Sequence, residues 1–340
     1  MLATAFFWKK LALLWHIELG GLLIIAGLSV VTPVGWGLLV RSVLARYLKL
    51  DVATSSPNST GWTLIALGIL FIVCGEAWRK TQGNGGDRLL LFRHESFDRT
   101  MTRVLSTDLK LELSECAIQE IACDQKAFLE KRPLNLKLAT STQAKTLETL
   151  KILIAQNPSW QTGYYGIAHI PFVFAAGHAL SSTADIHLFE HWPRIGKWKE
   201  LDAVGTPLGF FVSENNTPPS FNSVVIRIAI SFEININLVA QKLEEPFVDV
   251  LLTIPAPRRE AVYAYDQVAD CAARFRRLLD DWSGRLPLGG SIHVFYSGPV
   301  PLAFRLGQQI SQSIHKPVFI YNYSSGRPTP YEWHLVVNKT

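Results

Sequence analysis

Two short turns hold the residues of this 340-residue chain best suited to chemistry. One is Ala168, His169 and Ile170 before Pro171; the other is Tyr296, Ser297 and Gly298 before Pro299 and Pro301. A proline in the first turn of a helix sacrifices no hydrogen bond. Each turn is therefore expected to lead from a strand into a helix and to leave backbone N–H groups at the strand end. Such a helix start attracts phosphate. Flat side chains follow in the sequence: Trp192, Trp198, Phe232, Tyr321 and Tyr323. A nucleobase stacked on one of them gains about 1–3 kcal/mol. Arg194, Lys197, Arg258, Arg259 and Arg327 are cations near expected loop ends. The chemistry indicated is non-covalent capture of a ligand with several phosphates and bases. Core packing competes for each aromatic, and a solvated surface for each cation.

Catalysis is not indicated. There is no P-loop, no Gly-x-Ser-x-Gly and no His-Glu-x-x-His. Glu244 with Glu245 and Asp280 with Asp281 are adjacent pairs on expected helices, so their carboxylates diverge. His169, His178, His187 and His191 lack metal-ligand spacing and point different ways on a strand–helix–strand unit. Neither a metal nor a cofactor is expected. The four cysteines form no Cys-x-x-Cys, which points to free thiols in a reducing compartment.

The two turns belong to an internal repeat. Residues 161–192 and 291–323 place Pro171, Phe174 and Gly177 on Pro301, Phe304 and Gly307, and the apolar run 186–189 on 318–321. Each copy reads as strand, helix, parallel strand. That is half of a doubly wound sheet, whose strand ends usually hold a ligand. Farther out, 109–114 (LKLELS) echoes 224–231 (VVIRIAIS), two alternating strands ending in Ser114 and Ser231. Similarly 136–140 echoes 248–254, and helical stretches 143–160 and 261–282 both end near a tryptophan. The fold class expected is α/β with two tandem Rossmann-like halves, about 105–202 and 222–340. The link between 224–231 and 248–254 is short and polar, leaving parallel and antiparallel pairing both open.

The chain carries a net charge of +5, and its mean hydropathy is +0.17. Residues 1–80 hold seven Lys/Arg against three Asp/Glu, so that segment supplies four of the five net charges and the rest only one. A region so nearly neutral is a poor match for long DNA or RNA. Residues 19–40 form 22 uncharged positions, enough to span a bilayer. A second apolar run, 62–75, spans only with its flanks, and a buried core helix competes for it. Residues 2–17 set Phe6, Phe7, Trp8, Leu11, Leu14 and Trp15 beside Lys9 and Lys10, as in a segment lying on headgroups. The expectation is a two-helix transmembrane hairpin in 1–80 with both termini cytoplasmic by the positive-inside rule. A hinge and helical stalk follow in 81–104, with the Gly-rich segment 81–87 as the hinge, and then the soluble region 105–340.

Residues 291–323 (IHVFYSGPVPLAFRLGQQI and PVFIYNY), 224–234 (VVIRIAISFEI) and the first-half stretches GIAHIPFVFAAG and IHLFEHWPRIGKW resemble the SAVED domain, over roughly 105–340. The resemblance implies two fused CARF-like halves sensing a cyclic oligonucleotide, a cyclic tri- or tetranucleotide, in bacterial antiphage (CBASS) systems. It implies ligand-pocket positions at Ser114 and Ser231, at the His169 and Ser297–Gly298 turns, and at Glu190, Trp192, Asn322 and Tyr323. With the membrane hairpin, the architecture is similar to two-transmembrane SAVED effectors. These are expected to sit in the inner membrane, meet lipid, form homo-oligomers on ligand binding and damage the bilayer. A membrane-tethered ring nuclease is the alternative.

Overall fold

The computed structural model describes residues 63, 65–70, 72–74, 88–97, 101–130, 132–183, 185–192, 196–243 and 245–339. It divides into two compact units, 1–86 and 87–340. In the first, the described residues between 63 and 74 are helical, and Leu67, Ile69, Leu70 and Val73 are exposed. No described helix is long and apolar enough to cross a membrane. The amphipathic segment 2–17, the apolar run 19–40, Trp62, Trp78 and the hinge 81–87 lie outside the described residues.

The second unit contains two sheets. In the first, β1 (Arg88–Glu95), β2 (Ala117–Asp124), β3 (Gln161–Ile167) and β4 (Ile186–Trp192) are parallel, and β5 (Lys197–Glu200) is antiparallel to β4; the order is β2-β1-β3-β4-β5. In the second, β7 (Ser223–Ala229), β8 (Phe247–Thr253), β9 (Ser291–Ser297) and β10 (Val318–Tyr321) are parallel. Edge strands β6 (Phe211–Asn216) and β11 (His334–Val336) run antiparallel to β8 and β10. The helices are α1 (Leu111–Ser114), α2 (Lys126–Leu129), α3 (Leu136–Gln156), α4 (Ile170–Ala179), α5 (Ile236–Ala240), α6 (Tyr265–Arg285) and α7 (Val300–Gly307). β7 and β8 pair in parallel through the five-residue α5, which resolves the open connection.

Three outer elements differ from the sequence expectation. The expected stalk contains β1, a central strand of the first sheet. Its Leu90 and Phe92 enter one apolar cluster and Leu89 and Leu91 another, all at 0–1% exposure. A strand buried on both faces reads as an unbroken apolar run rather than an alternation. Its charges, which imitate a helix face, are absorbed locally: Arg93 lies 2.7 Å from Glu95 and 2.8 Å from Glu120. Residues 109–114 are not a strand; they end in the single turn α1 leading into β2. Residues 136–140 open α3, whose buried Ala139, Gln143, Leu147 and Leu150 follow helical spacing, with Asn135 Oδ1 capping the Leu138 N–H at 3.0 Å.

Placing β1 correctly sharpens the repeat. Strand pairing sets Leu89 on Ser223, an offset of 134, and Ile118 on Phe247, an offset of 129. It also sets Gln161 on Ser291 (130) and Ile186 on Val318 (132). The same offsets carry Arg93 onto Arg227 and Glu120 onto Asp249. Both pairs are ion pairs, and Arg227 grips Asp249 with two bonds of 2.7 Å.

The halves join through α4 and α7. A methyl group built on Gly177 would collide with the carbonyl oxygen of Phe304, and one on Gly307 with that of Phe174. Backbone approach this close requires glycine. Around it, the Phe304 ring stacks on Tyr164 at 4.0 Å, and one apolar cluster runs through both halves.

Candidate functional site

The parallel strands of each sheet deliver their carboxyl ends to the starts of α4 and α7. In the first half β1 runs into Ser96 and Phe97, and β3 into His169, the N-cap of α4. Ser96 Oγ accepts the His169 backbone N–H at 2.7 Å and lies 2.6 Å from its Nδ1. One of the amides expected to be free, that of His169, is thus already satisfied. The Phe97 ring stacks on the imidazole with centroids 3.9 Å apart and planes 17° apart. Burial pushes the His169 pKa down to about 4, so the ring is neutral at ordinary pH.

The other half supplies the opposite wall. Trp333, just before β11, comes within 5.7 Å of His169 and 5.6 Å of Phe172, centroid to centroid. Its carbonyl accepts the Asn322 N–H at 3.0 Å, which sets the end of β10 beside the start of α4. Asn322 is 2% exposed, and its Nδ2 donates to Ser324 Oγ at 3.1 Å. Tyr323 is 53% exposed, with its ring edge-on to Tyr331 at 5.5 Å.

The Ser297 turn is built differently. Its carbonyl accepts N–H groups from Ile230 (2.7 Å) and Ser231 (2.9 Å), and its Oγ accepts the Phe232 N–H at 3.1 Å. Gly298 leaves room for Tyr296, whose hydroxyl donates to the Pro299 carbonyl at 2.7 Å; a Cβ there would lie 2.5 Å from that hydroxyl. Phe232 is 53% exposed, and Arg259 lies 5.0 Å over its ring. Arg258 is exposed and lines a hollow of about 360 Å³ with Pro255, Tyr263 and Thr206. A second hollow of about 490 Å³, around Phe221, Asn222 and Pro246, opens at the amino ends of β7 and β8, away from these turns.

Glu190 on β4 and Asn322, directly after β10, occupy equivalent positions, given the 132-residue offset. Glu190 Oε2 is buried without a hydrogen-bond partner among the described residues. Burial pushes its pKa up to about 8, and the nearby Glu260 adds to the rise. The carboxyl is therefore largely protonated at neutral pH, able to donate and to accept. Trp192 ends β4 beneath Lys199, 5.6 Å from its ring.

Of the remaining expected residues, Ser114 leaves the site: it ends α1 ahead of β2, at the amino edge of the sheet, and the misplaced first strand had carried it to the carboxyl edge. Trp198 and Tyr321 are core. Trp198 is 3% exposed against Tyr165 and donates to Thr102 O at 2.7 Å; Tyr321 is 4% exposed and stacked on Phe295 at 4.4 Å. Arg194 lies outside the described residues. Ser96, Phe97 and Trp333 went unnoticed. The first two sit directly after β1, and the apolar run LLLF ahead of them is the signal that could have found them.

The sequence matches the model of the SAVED family, described as "SMODS-associated and fused to various effectors sensor domain", over residues 143–337. No curated protein matches it. Among solved structures it is similar to the Cap4 SAVED/CARF-domain containing receptor of Acinetobacter baumannii with the cyclic trinucleotide 2'3'3'-cAAA. The identity is 11% and the TM-score 0.50, covering 88% of this chain and 64% of that one. The Cap4 receptor of Moraxella osloensis follows at 10% identity and a TM-score of 0.43, covering 85% of this chain and 63% of that one. The chain thus spans just under two thirds of the length of these receptors, and at such identity the likeness to the A. baumannii receptor shows the fold. With the family model covering more than half its length, the chain belongs to the SAVED family.

Proposed function

We propose that this SAVED-family chain is a membrane-anchored sensor. It binds a cyclic tri- or tetranucleotide across the strand ends of the two halves, oligomerises, and damages the inner membrane in CBASS-type antiphage defence. The observation that carries the reading is the meeting of the halves at the start of α4. There His169, stacked on Phe97, meets Trp333 of the other half, whose carbonyl holds the Asn322 N–H beside Tyr323. A ring of phosphates and bases has pseudo-symmetry of its own, and a duplicated half offers it matching walls. Exposed Tyr323 and Phe232 suit base stacking. The similar A. baumannii receptor, solved with a cyclic trinucleotide, supports the ligand class.

The membrane part rests on the 22 uncharged residues 19–40 and the basic flanks of residues 1–80. A short second span thins the bilayer around it, and clustering many copies concentrates that stress. The test is dye release from liposomes carrying the purified chain. Release only on adding the cyclic oligonucleotide supports the reading. Retained dye with ligand demonstrably bound overturns the lesion step, and linear products of the ligand identify a ring nuclease instead.

A further inference from the structure

The Ser96–His169 contact assigns a proton. Ser96 is 1% exposed, and its Oγ already accepts the His169 backbone N–H at 2.7 Å. A buried hydroxyl must spend its own proton on an acceptor. The His169 Nδ1, 2.6 Å away, is the acceptor in contact with it among the described residues. Nδ1 therefore accepts, and in a neutral imidazole the ring proton then sits on Nε2. Phe97 stacked on one side and Trp333 tilted at 5.7 Å fix the plane of the ring. His169 is thus a rigid, uncharged N–H donor at the meeting point of the two halves.

We propose that Ser96 is a positioning residue that holds His169 as the Nε2–H tautomer, and that this N–H donates to a non-bridging phosphate oxygen of the bound cyclic oligonucleotide. The proposal rests on the sensor reading above. A neutral donor gains directional contact with phosphate without drawing a positive charge into a buried place. It also differs from the backbone amides first expected to do this work, of which Ser96 occupies that of His169.

The test uses the full chain with ring-labelled ¹⁵N histidine, read by long-range ¹H–¹⁵N correlation at pH 7. Comparison with His169→Gln assigns the signals. The wild type should show a pyrrole-type Nε2 and a pyridine-type Nδ1 at His169, and Ser96→Ala should give a mixture of tautomers. With cyclic triadenylate and cyclic tetraadenylate as probes, Ser96→Ala should weaken binding by about tenfold and His169→Ala by at least as much. His169→Gln, whose amide nitrogen reaches the Nε2 position, should stay within about threefold. An Nδ1–H tautomer or an imidazolium at pH 7 overturns the positioning claim, with or without ligand. Wild-type affinity in Ser96→Ala overturns it too, while leaving the sensor reading intact. If the wild type binds neither probe, the phosphate contact falls with the sensor reading, and the spectrum still decides the tautomer.

Discussion

Gly177 rests directly against the backbone carbonyl of Phe304, and the repeat returns the contact, with Gly307 against the carbonyl of Phe174. A reciprocal contact of this kind marks a pseudo-twofold axis between α4 and α7. It locks the last turn of each helix against the other half. Gly177→Ala should therefore shift the backbone of the opposite half and destabilise the fold by about 1–3 kcal/mol, the usual cost of overpacking a dense core. Gly284, on α6 with nothing within 4 Å of an added Cβ, is the control. Gly284→Ala should be neutral or gain up to about 1 kcal/mol, as for glycine in a helix. Denaturant melts of both variants check this.

The duplicated ion pairs make a second prediction. The Arg227 and Asp249 side chains are 11% and 6% exposed, against 16% and 20% for Arg93 and Glu120. Removing one partner of a buried pair strands the other, at about 3–5 kcal/mol. Arg227→Ala should cost about that much. Arg93→Ala should cost less, because Glu120 is more hydrated and keeps the Tyr165 hydroxyl as a donor, and the buried Glu95 keeps Lys126. Equal losses would deny the difference in burial its role.

Stability should fall on both sides of a pH optimum. Glu190 has a folded pKa raised from 4.5 to about 8, so it binds more protons folded than unfolded. Its contribution is fully present below pH 4.5 and is lost as pH rises toward 8. His94, His169 and His293 are depressed by burial from 6.5 to about 4. They contribute above pH 6.5 and that contribution is lost as pH falls toward 4. Melting temperatures of Glu190→Gln should flatten the alkaline arm alone. An unchanged alkaline arm would remove Glu190 from that role.

Tyr323 is half exposed and touches little besides Tyr331, so Tyr323→Ala should fold like the wild type. If a base stacks on it, affinity for the cyclic oligonucleotide should drop by about 1–3 kcal/mol. Calorimetry on the folded variant decides this, and unchanged affinity would place the base elsewhere.

The inner repeat unit was readable because its signals are local. Pro171 and Pro301 mark helix starts, and Gly177 and Gly307 mark the crossing. The outer strands were not. β1 is buried on both faces, so LLLF carries no alternation, and its flanking Arg88, Arg93 and Glu95 gave it a helical look. That error moved the first half by one strand and carried Ser114 to the wrong edge of the sheet. The strand-end turns of the candidate site were legible where turn chemistry shows, at His169, Ser297 and Gly298. It was hidden where tertiary packing decides: Trp333 reaches His169 only after the chain has built the whole second sheet.

The central claim is one ligand site shared by two halves, and binding stoichiometry tests it most directly. Titrating the purified full chain with a cyclic trinucleotide in a calorimeter should give one ligand per chain. His169→Ala in the first half and Tyr323→Ala in the second should each weaken that single event. Two independent sites per chain, or an affinity that responds to only one of the two substitutions, would contradict the account.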